Sequence, residues 1–529
     1  MDQPKGWTWQ DRAEGSIRRG TALDPSTEPV DGIRAFPTAY LPERLLITNV
    51  LGDVLDDKSS YDQEVRTLRD AADTFGWHLE VEGSGRSATE GEIAPGVPGF
   101  LRARLTTPDE PVRGESPIAP DAWRVLQRAR RMSRSTMPRT SLDHVLSIDP
   151  VGLNPFTRTN PFTRTNPFTR TNPVRGGGAI GGAGGSDDYL APGRGARQPV
   201  TWLGPAPARG PAPKRGRRPV VAVLDTGCGE HSWLPADIVT RQVDLDGVPV
   251  GLTDDADPER YPDLYGQLDG EIDAVAGHGT FIAGLVRQAA PDADILSIRV
   301  AGALGVVDES TLLETVAQVV TLLSRHRDDP KTGFPIDVLN LSLSYYHETP
   351  TDGLFSLTLH RLLAKARELG CVVVCSAGND AIDRPSFPAS LWPWPGADNG
   401  ISADRYAPLV SVGALNPSSH SVALFSNVGP WVHAYAPGAA VVSTSPTFVG
   451  GMQAATKADV DGLPRETIDP DDYRGGFAVW SGTSFSAPYV AGRIAAQLGA
   501  VPEAGVAPRA ANKAVTAVIN SLPTPSVSS

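Results

Sequence analysis

Between residues 219 and 500, short unbroken apolar runs alternate with longer stretches in which apolar positions return every three or four residues. The runs include Pro219-Val220-Val221-Ala222-Val223-Leu224, Ile295-Leu296-Ser297-Ile298-Arg299-Val300, Ile336-Asp337-Val338-Leu339-Asn340-Leu341, Cys371-Val372-Val373-Val374-Cys375 and Leu409-Val410-Ser411-Val412. A strand needs such a run when helices cover its sheet above and below. The stretches 279–289, 309–327, 354–369 and 484–498 predict those helices, and 508–521 predicts one more on the outside. This alternation predicts an α/β fold around a mostly parallel sheet.

The first 150 residues carry a different pattern. Arg44-Leu45-Leu46-Ile47-Thr48-Asn49 reads as a strand, and 61–76 as a helix with Val65, Leu68, Ala71, Ala72 and Phe75 on one face. His78-Leu79-Glu80-Val81-Glu82 and Phe100-Leu101-Arg102-Ala103-Arg104-Leu105 alternate like strands. Residues 120–132 read as a second helix, with Arg124, Arg128, Arg130 and Arg131 in it, Arg134 and Arg139 just after it, and a solvated basic face as the expectation. His144-Val145-Leu146-Ser147-Ile148-Asp149 closes a small sheet. The order β-α-β-β-α-β is the ferredoxin-like arrangement of an α+β domain. The expected organisation is a flexible arm over 1–40, this α+β domain over 41–150, a linker over 151–218, the α/β domain over 219–500, and a helix and tail over 501–529. The linker repeats the unit Asn-Pro-Phe-Thr-Arg-Thr three times from Asn154, then runs through Gly- and Pro-rich sequence. A proline every sixth residue blocks regular helix, and three short units cannot build a solenoid.

Composition narrows the function classes. The chain has 529 residues and a formal net charge of −13, which argues against nucleic acid as a partner. No run of about 20 apolar residues predicts a membrane span, and no basic-then-apolar leader opens the chain, so the expectation is a cytoplasmic protein with no membrane partner. Cys228, Cys371 and Cys375 are the only cysteines. They are too few for a disulfide framework and read as small buried hydrophobes.

The chemistry lies in Gly-bounded segments. Asp225-Thr226-Gly227 ends an apolar strand, Gly277-His278-Gly279-Thr280 opens a helix, and Gly482-Thr483-Ser484 opens another, with Pro488 tolerated in its first turn. A serine hydroxyl becomes a nucleophile when histidine takes its proton and a carboxylate fixes the histidine tautomer. Ser484, His278 and Asp225 supply that set. Asn379, in Ser376-Ala377-Gly378-Asn379 after an apolar run, and the Ser484 backbone N–H are candidate oxyanion donors.

These motifs, with Asn340-Leu341-Ser342-Leu343-Ser344, Phe425-Ser426-Asn427-Val428-Gly429 and Ala436-Pro437-Gly438, resemble the signatures of the subtilisin-like (subtilase) serine proteases over residues 219–500. The resemblance implies a subtilisin-like three-layer fold with a seven-stranded sheet, and a serine-type endopeptidase working through an acyl-enzyme on protein or peptide substrates. It assigns Asp225, His278 and Ser484 as catalytic and Asn379 to the oxyanion hole. It places Ser342, Leu343, Ser344, Ala377 and Gly378 at the substrate. No cofactor is required. Structural calcium is common in the family, and the acidic stretch between Asp225 and His278 is the segment considered for it, although its spacing fits no EF-hand and a solvated loop is the plainer reading. Ser344 stands where the family has Gly, Phe281 where it has His, and Phe485-Ser486 where it has Met-Ala. The insertion at roughly 446–475 reads as a lid or exosite. The family's secreted members carry a ferredoxin-like propeptide, so intramolecular inhibition by the N-terminal domain is expected here.

Three rivals were weighed. An aspartic protease needs two Asp-Thr-Gly loops in a β-rich fold, and one is present here. An α/β-hydrolase needs Gly-x-Ser-x-Gly, and Gly482-Thr483-Ser484-Phe485-Ser486 lacks the last Gly. A scaffold used only for recognition would be expected to have lost a catalytic residue, whereas the full set is retained.

Overall fold

The computed structural model describes residues 3–16, 20–49, 58–83, 99–108, 118–148, 189, 195–266, 270–349, 356–397, 399–451, 456–460 and 462–526. The Asn-Pro-Phe-Thr-Arg-Thr repeats lie outside the described residues.

The N-terminal unit comprises β1 (Ala39–Asn49), α1 (Lys58–Asp73), β2 (His78–Gly83), β3 (Gly99–Thr106), α2 (Ala122–Ser133) and β4 (Thr140–Ile148). Its strands lie in the order β4-β1-β3-β2, every neighbour antiparallel. Leu45, Ile47, Leu68, Trp77, Leu105, Trp123 and Leu126 fill the space between sheet and helices. Asp121 caps α2, accepting from the Trp123 and Arg124 N–H groups. The α2 arginines do not form a solvated face. Arg130 is buried and donates to the Thr136 carbonyl at 3.1 Å, and Arg128 pairs with Glu28 at 2.9 Å and lies over the Phe75 ring.

In the arm, expected as flexible, described residues bind both units, Glu28 the smaller and Trp7 and Arg12 the larger. The helix Trp9–Ser16 rests on the 263–266 segment. There the Trp7 indole donates to the Leu264 carbonyl at 3.0 Å, and Arg12 pairs with Asp263.

The larger unit follows the predicted alternation. Its elements are β5 (Val220–Asp225), β6 (Val239–Thr240), α3 (His278–Ala289), β7 (Asp294–Arg299), β8 (Val306–Asp308), α4 (Glu309–Asp328), β9 (Val338–Leu341), β10 (Leu343–Ser344), α5 (Leu357–Glu368), β11 (Val372–Ser376), β12 (Val410–Leu415), β13 (Ala434–Pro437), α6 (Thr483–Leu498) and α7 (Pro508–Ile519). Seven strands form one sheet in the order β13-β12-β11-β9-β5-β7-β6, and every pair is parallel. Helices α3, α6 and α7 cover one face and α4 and α5 the other. Strands β5 and β12, six residues each, are buried at every residue, as their apolar runs require. Cys228, Cys371 and Cys375 are free and buried. Among the described residues no helix is long and apolar enough to cross a membrane.

The two units share hydrogen bonds. Strand β4 pairs antiparallel with β8, matching Ser147 to Val306, Leu146 to Val307 and Val145 to Asp308. It also pairs with β10, matching Ile148 to Leu343 and Ser147 to Ser344. Leu146 and Ile148, both fully buried, join the core formed by Leu312, Val316, Leu341 and Leu343. Leu146→Ala is expected to cost about 2–5 kcal/mol, the range for a buried leucine truncation. A urea unfolding midpoint unmoved by the change would contradict this packing.

Candidate active site

The C-terminal edge of the parallel sheet gathers the predicted residues. Asp225 is the last residue of β5, and the crossover into β7 keeps its backbone carbonyl bonded to the Val300 N–H at 2.7 Å. His278 is the first residue of α3, whose N-cap Gly277 has φ +82°; a Cβ there would meet Pro446 Cδ at 2.9 Å. His278 Nδ1 and Asp225 Oδ1 lie 2.7 Å apart, and both side chains are fully buried. The other ring nitrogen, Nε2, has no hydrogen-bond partner among the described residues. The ring packs against Trp480 (centroids 5.5 Å apart) and Phe485 (5.1 Å), which also touch each other. Ser484, buried in the first turn of α6, is the residue before Phe485.

The remaining predicted residues converge on the same helix start. Asn379 Oδ1 accepts the Thr483 N–H at 2.8 Å, which turns the donor end of its amide the other way. The Gly378 N–H donates to the Thr483 hydroxyl at 3.1 Å. Gly378 has φ +99°, and a Cβ there would meet Asn427 Nδ2 at 2.4 Å. The Ser342 hydroxyl donates to the Ser484 carbonyl at 3.0 Å. Asn427 fixes the 377–382 segment, donating to the Ala377 carbonyl and accepting the Asp380 and Ile382 N–H groups. Leu343 and Ser344 form β10, and with β8 they flank the groove that β4 fills.

A model of the subtilase family matches residues 216–521, more than half of the chain. The chain belongs to the subtilase family. It is 28% identical over 287 residues to an intracellular serine protease of Paenibacillus polymyxa, covering 52% of this chain and 65% of that protein. It is 26% identical to the serine protease AprX of Bacillus subtilis, covering 51% and 55%, and 26% identical to an extracellular basic protease of Dichelobacter nodosus, covering 48% and 34%. The matched part is therefore less than two thirds of each relative's length. Among solved structures, fervidolysin from Fervidobacterium pennivorans aligns at TM-score 0.42 and 16% identity, covering 92% of this chain and 62% of that one.

In this subtilase the long stretch between Asp225 and His278 contributes a group that sequence reading passed over. The Glu259 carboxylate is buried behind the Asp225–His278 pair. Its Oε1 accepts the Gly279 N–H at 3.0 Å and the Thr226 hydroxyl; its Oε2 accepts the Thr280 N–H at 3.3 Å and the Thr280 hydroxyl. The same Thr226 hydroxyl lies 3.1 Å from Asp225 Oδ1. Glu259 thereby ties the end of β5 to the start of α3. Nothing in the local sequence distinguishes it from Asp254, Asp255 or Asp257.

Among the described residues, three other acids of that stretch have protein partners. Asp254 pairs with Arg299 at 2.8 Å, Asp263 with Arg12, and Asp273 accepts the Leu264 and Tyr265 N–H groups. The insertion after Thr444 packs beside His278, with Pro446 and Phe448 against Gly277.

Burial pushes the Glu259 carboxyl up to about 7, against the four donors that favour its charged form. A carboxyl raised on folding gives stability that is fully present below its unfolded value near 4.5 and is lost as pH rises through 7. Glu259→Gln places an amide donor where hydroxyl and N–H donors already point, so it is expected to cost roughly 1–3 kcal/mol. It should also flatten the loss of thermal stability between pH 5 and 8. A variant that keeps the wild-type slope over that interval would rule out Glu259 as its source.

Proposed function

We propose that this subtilase is a serine endopeptidase in which Ser484 is the nucleophile, His278 the general base and Asp225 the residue that orients it. The buried 2.7 Å Asp225–His278 contact carries this reading, because it fixes the imidazole with Nε2 directed away from Asp225 and beside the start of α6. Ser484 Oγ attacks the carbonyl carbon of the scissile peptide as His278 Nε2 takes the hydroxyl proton. The negative oxygen of the tetrahedral intermediate is met by the Asn379 amide and by the Ser484 N–H at a helix N-terminus. The C–N bond breaks as His278 returns the proton to the leaving amine. Water, deprotonated by the same imidazole, then hydrolyses the acyl ester. The route draws on no cofactor.

The proposal includes latency. β4 fills the groove between β8 and β10 in the antiparallel manner by which an extended peptide adds to exposed strand edges. Asp225, His278 and Ser484 are also wholly inaccessible to solvent. Together these favour a form in which the N-terminal unit occupies the substrate's place. Residence in the cytoplasm belongs to the proposal too, with three free cysteines and one relative named intracellular in its favour.

Once β4 leaves the groove, as it is expected to by pH 9, a fluorophosphonate probe is expected to label Ser484 and to leave Ser484→Ala unlabelled. Asn379→Ala is expected to lower kcat roughly 10²–10³-fold, the usual effect of losing one oxyanion donor. Equal labelling of the wild type and Ser484→Ala would refute the assignment of the nucleophile.

Docking of β4 is expected to weaken as pH rises. On β4, His144 is held up to about 10 by Glu348 and Glu309, and burial raises Asp143 to about 7. Both groups bind more protons when docked, so Asp143's share of the docking is lost as pH rises from about 4 through 7, and His144's as pH rises from about 6.5 through 10. His347, lowered to about 4, and Glu309, also lowered, act only at more acid pH. Asp308, Arg44, Arg130, Tyr40 and Tyr345 complete the surroundings. Exchange of the Ile148 amide, corrected for its intrinsic rate, should accelerate between pH 6.5 and 9; constant protection over that interval would contradict the linkage.

A further inference from the structure

We infer that Glu309 and Glu348 form an acidic subsite for a cationic side chain on an extended peptide, four residues before the position that Ile148 occupies. This rests on the reading of the β8–β10 groove as the substrate's binding place. In the present structure His144 of β4 fills the subsite.

The two carboxylates come from different elements. Glu309 is the first residue of α4, and Glu348 follows β10 by four residues. His144 Nδ1 lies 2.6 Å from Glu309 Oε2, and His144 Nε2 lies 2.7 Å from Glu348 Oε2. All three side chains are fully buried. Tyr345 donates to the other Glu309 oxygen at 3.1 Å. Glu348 Oε1 is buried and has no hydrogen-bond partner among the described residues, so acceptor capacity remains for a larger cation. An imidazole that meets a carboxylate at each nitrogen is a donor at both, which is the histidinium form.

Backbone pairing sets the position. The neighbouring Val145 pairs with Asp308 of β8, and Ile148, four residues after His144, pairs with Leu343 and donates to the Gly305 carbonyl at 2.7 Å. Both groove strands and both glutamates belong to the subtilase unit. A peptide that replaced β4 in the same register would bring its own side chain to the same carboxylates. An alanine there would leave two carboxylates buried without a counter-charge, and a glutamate would add a third.

The trio His144, His347 and Glu348 also has the composition of a metal site. Two of its ligand atoms already have partners, while His347 Nε2 and Glu348 Oε1 have no hydrogen-bond partner among the described residues. His144 and Glu348 meet directly, and His347 Nδ1 accepts the Thr349 N–H at 3.1 Å. A cationic side chain fits the arrangement without moving either group.

The test uses the full-length His144→Ala chain, in which β4 no longer supplies the cation. Fluorescent nonapeptides with the sequence of residues 140–148, carrying His, Arg, Ala or Glu at the fifth position, are titrated by anisotropy at pH 6. Histidine and arginine peptides are expected to bind at least about ten-fold tighter than the alanine peptide, and the glutamate peptide weaker still. Adding Glu348→Gln should shrink the ratio below about three-fold, weakening the histidine and arginine peptides and tightening the alanine peptide, which then leaves one buried carboxylate uncompensated instead of two. Glu309→Gln asks the same if Glu348→Gln does not fold. Dissociation constants within two-fold across the series, or binding by none of the peptides, would overturn the subsite. Failure of the protease reading shows separately, as a Ser484 that no probe labels, and does not alter what the binding series reports.

Discussion

An extended strand with a free edge must find partners for its backbone groups, and the pairing of β4 with β8 and β10 meets that demand for both units at once. The N-terminal sheet would otherwise end on the bare edge of β4. The subtilase unit would otherwise expose the two short strands that line its groove. The same pairing carries Leu146 and Ile148 into the larger core and His144 onto Glu309 and Glu348. Separating the units therefore means giving up ladder hydrogen bonds, apolar burial and charge compensation together.

The reactive residues depend on a second constraint, the end of β5. A parallel sheet places its strand ends on one edge, and helices that start there point their N–H groups at whatever the edge holds. Asp225 and His278 reach each other because β5 stops and α3 starts at the same level. Glu259 bridges the two ends from behind through the Thr226 hydroxyl and the α3 N–H groups. A buried carboxylate with four donors is a rigid strut.

Local pattern made much of this legible. β5, β9, β11 and β12 are apolar runs because both their faces are covered, and nothing outside each run is needed to read them. The site motifs were legible for a related reason: Gly227, Gly277 and Gly378 hold positive φ where the backbone turns into the site, so the glycines frame the reactive positions. Glu259 was hidden because its role comes from residues 20 and 33 positions away, and its own segment is uniformly acidic. The arm was misread for the opposite reason. Its composition is polar, yet Trp7 and Arg12 each find a partner some 250 residues away. The docking of β4 leaves no mark in composition, since its ladder is made by backbone atoms and the carboxylates that meet His144 lie 165 and 204 positions away.

A buried arrangement of one cation and two carboxylates adds little stability compared with apolar residues of equal volume, because desolvation offsets most of the attraction. What such an arrangement does supply is register. Sliding β4 by one residue along β8 and β10 would turn every side chain to the opposite face. Leu146 and Ile148 would leave the core. Apolar packing alone penalises that slip but tolerates a slip of two, which restores the same face. The His144 cluster does not tolerate it. A two-residue shift would bring Leu142 or Leu146 to Glu309 and Glu348, leaving two buried charges with no counter-ion. The carboxylate pair thus selects one register among those the hydrophobic pattern allows, and so determines which residue of a bound strand is carried toward Ser484.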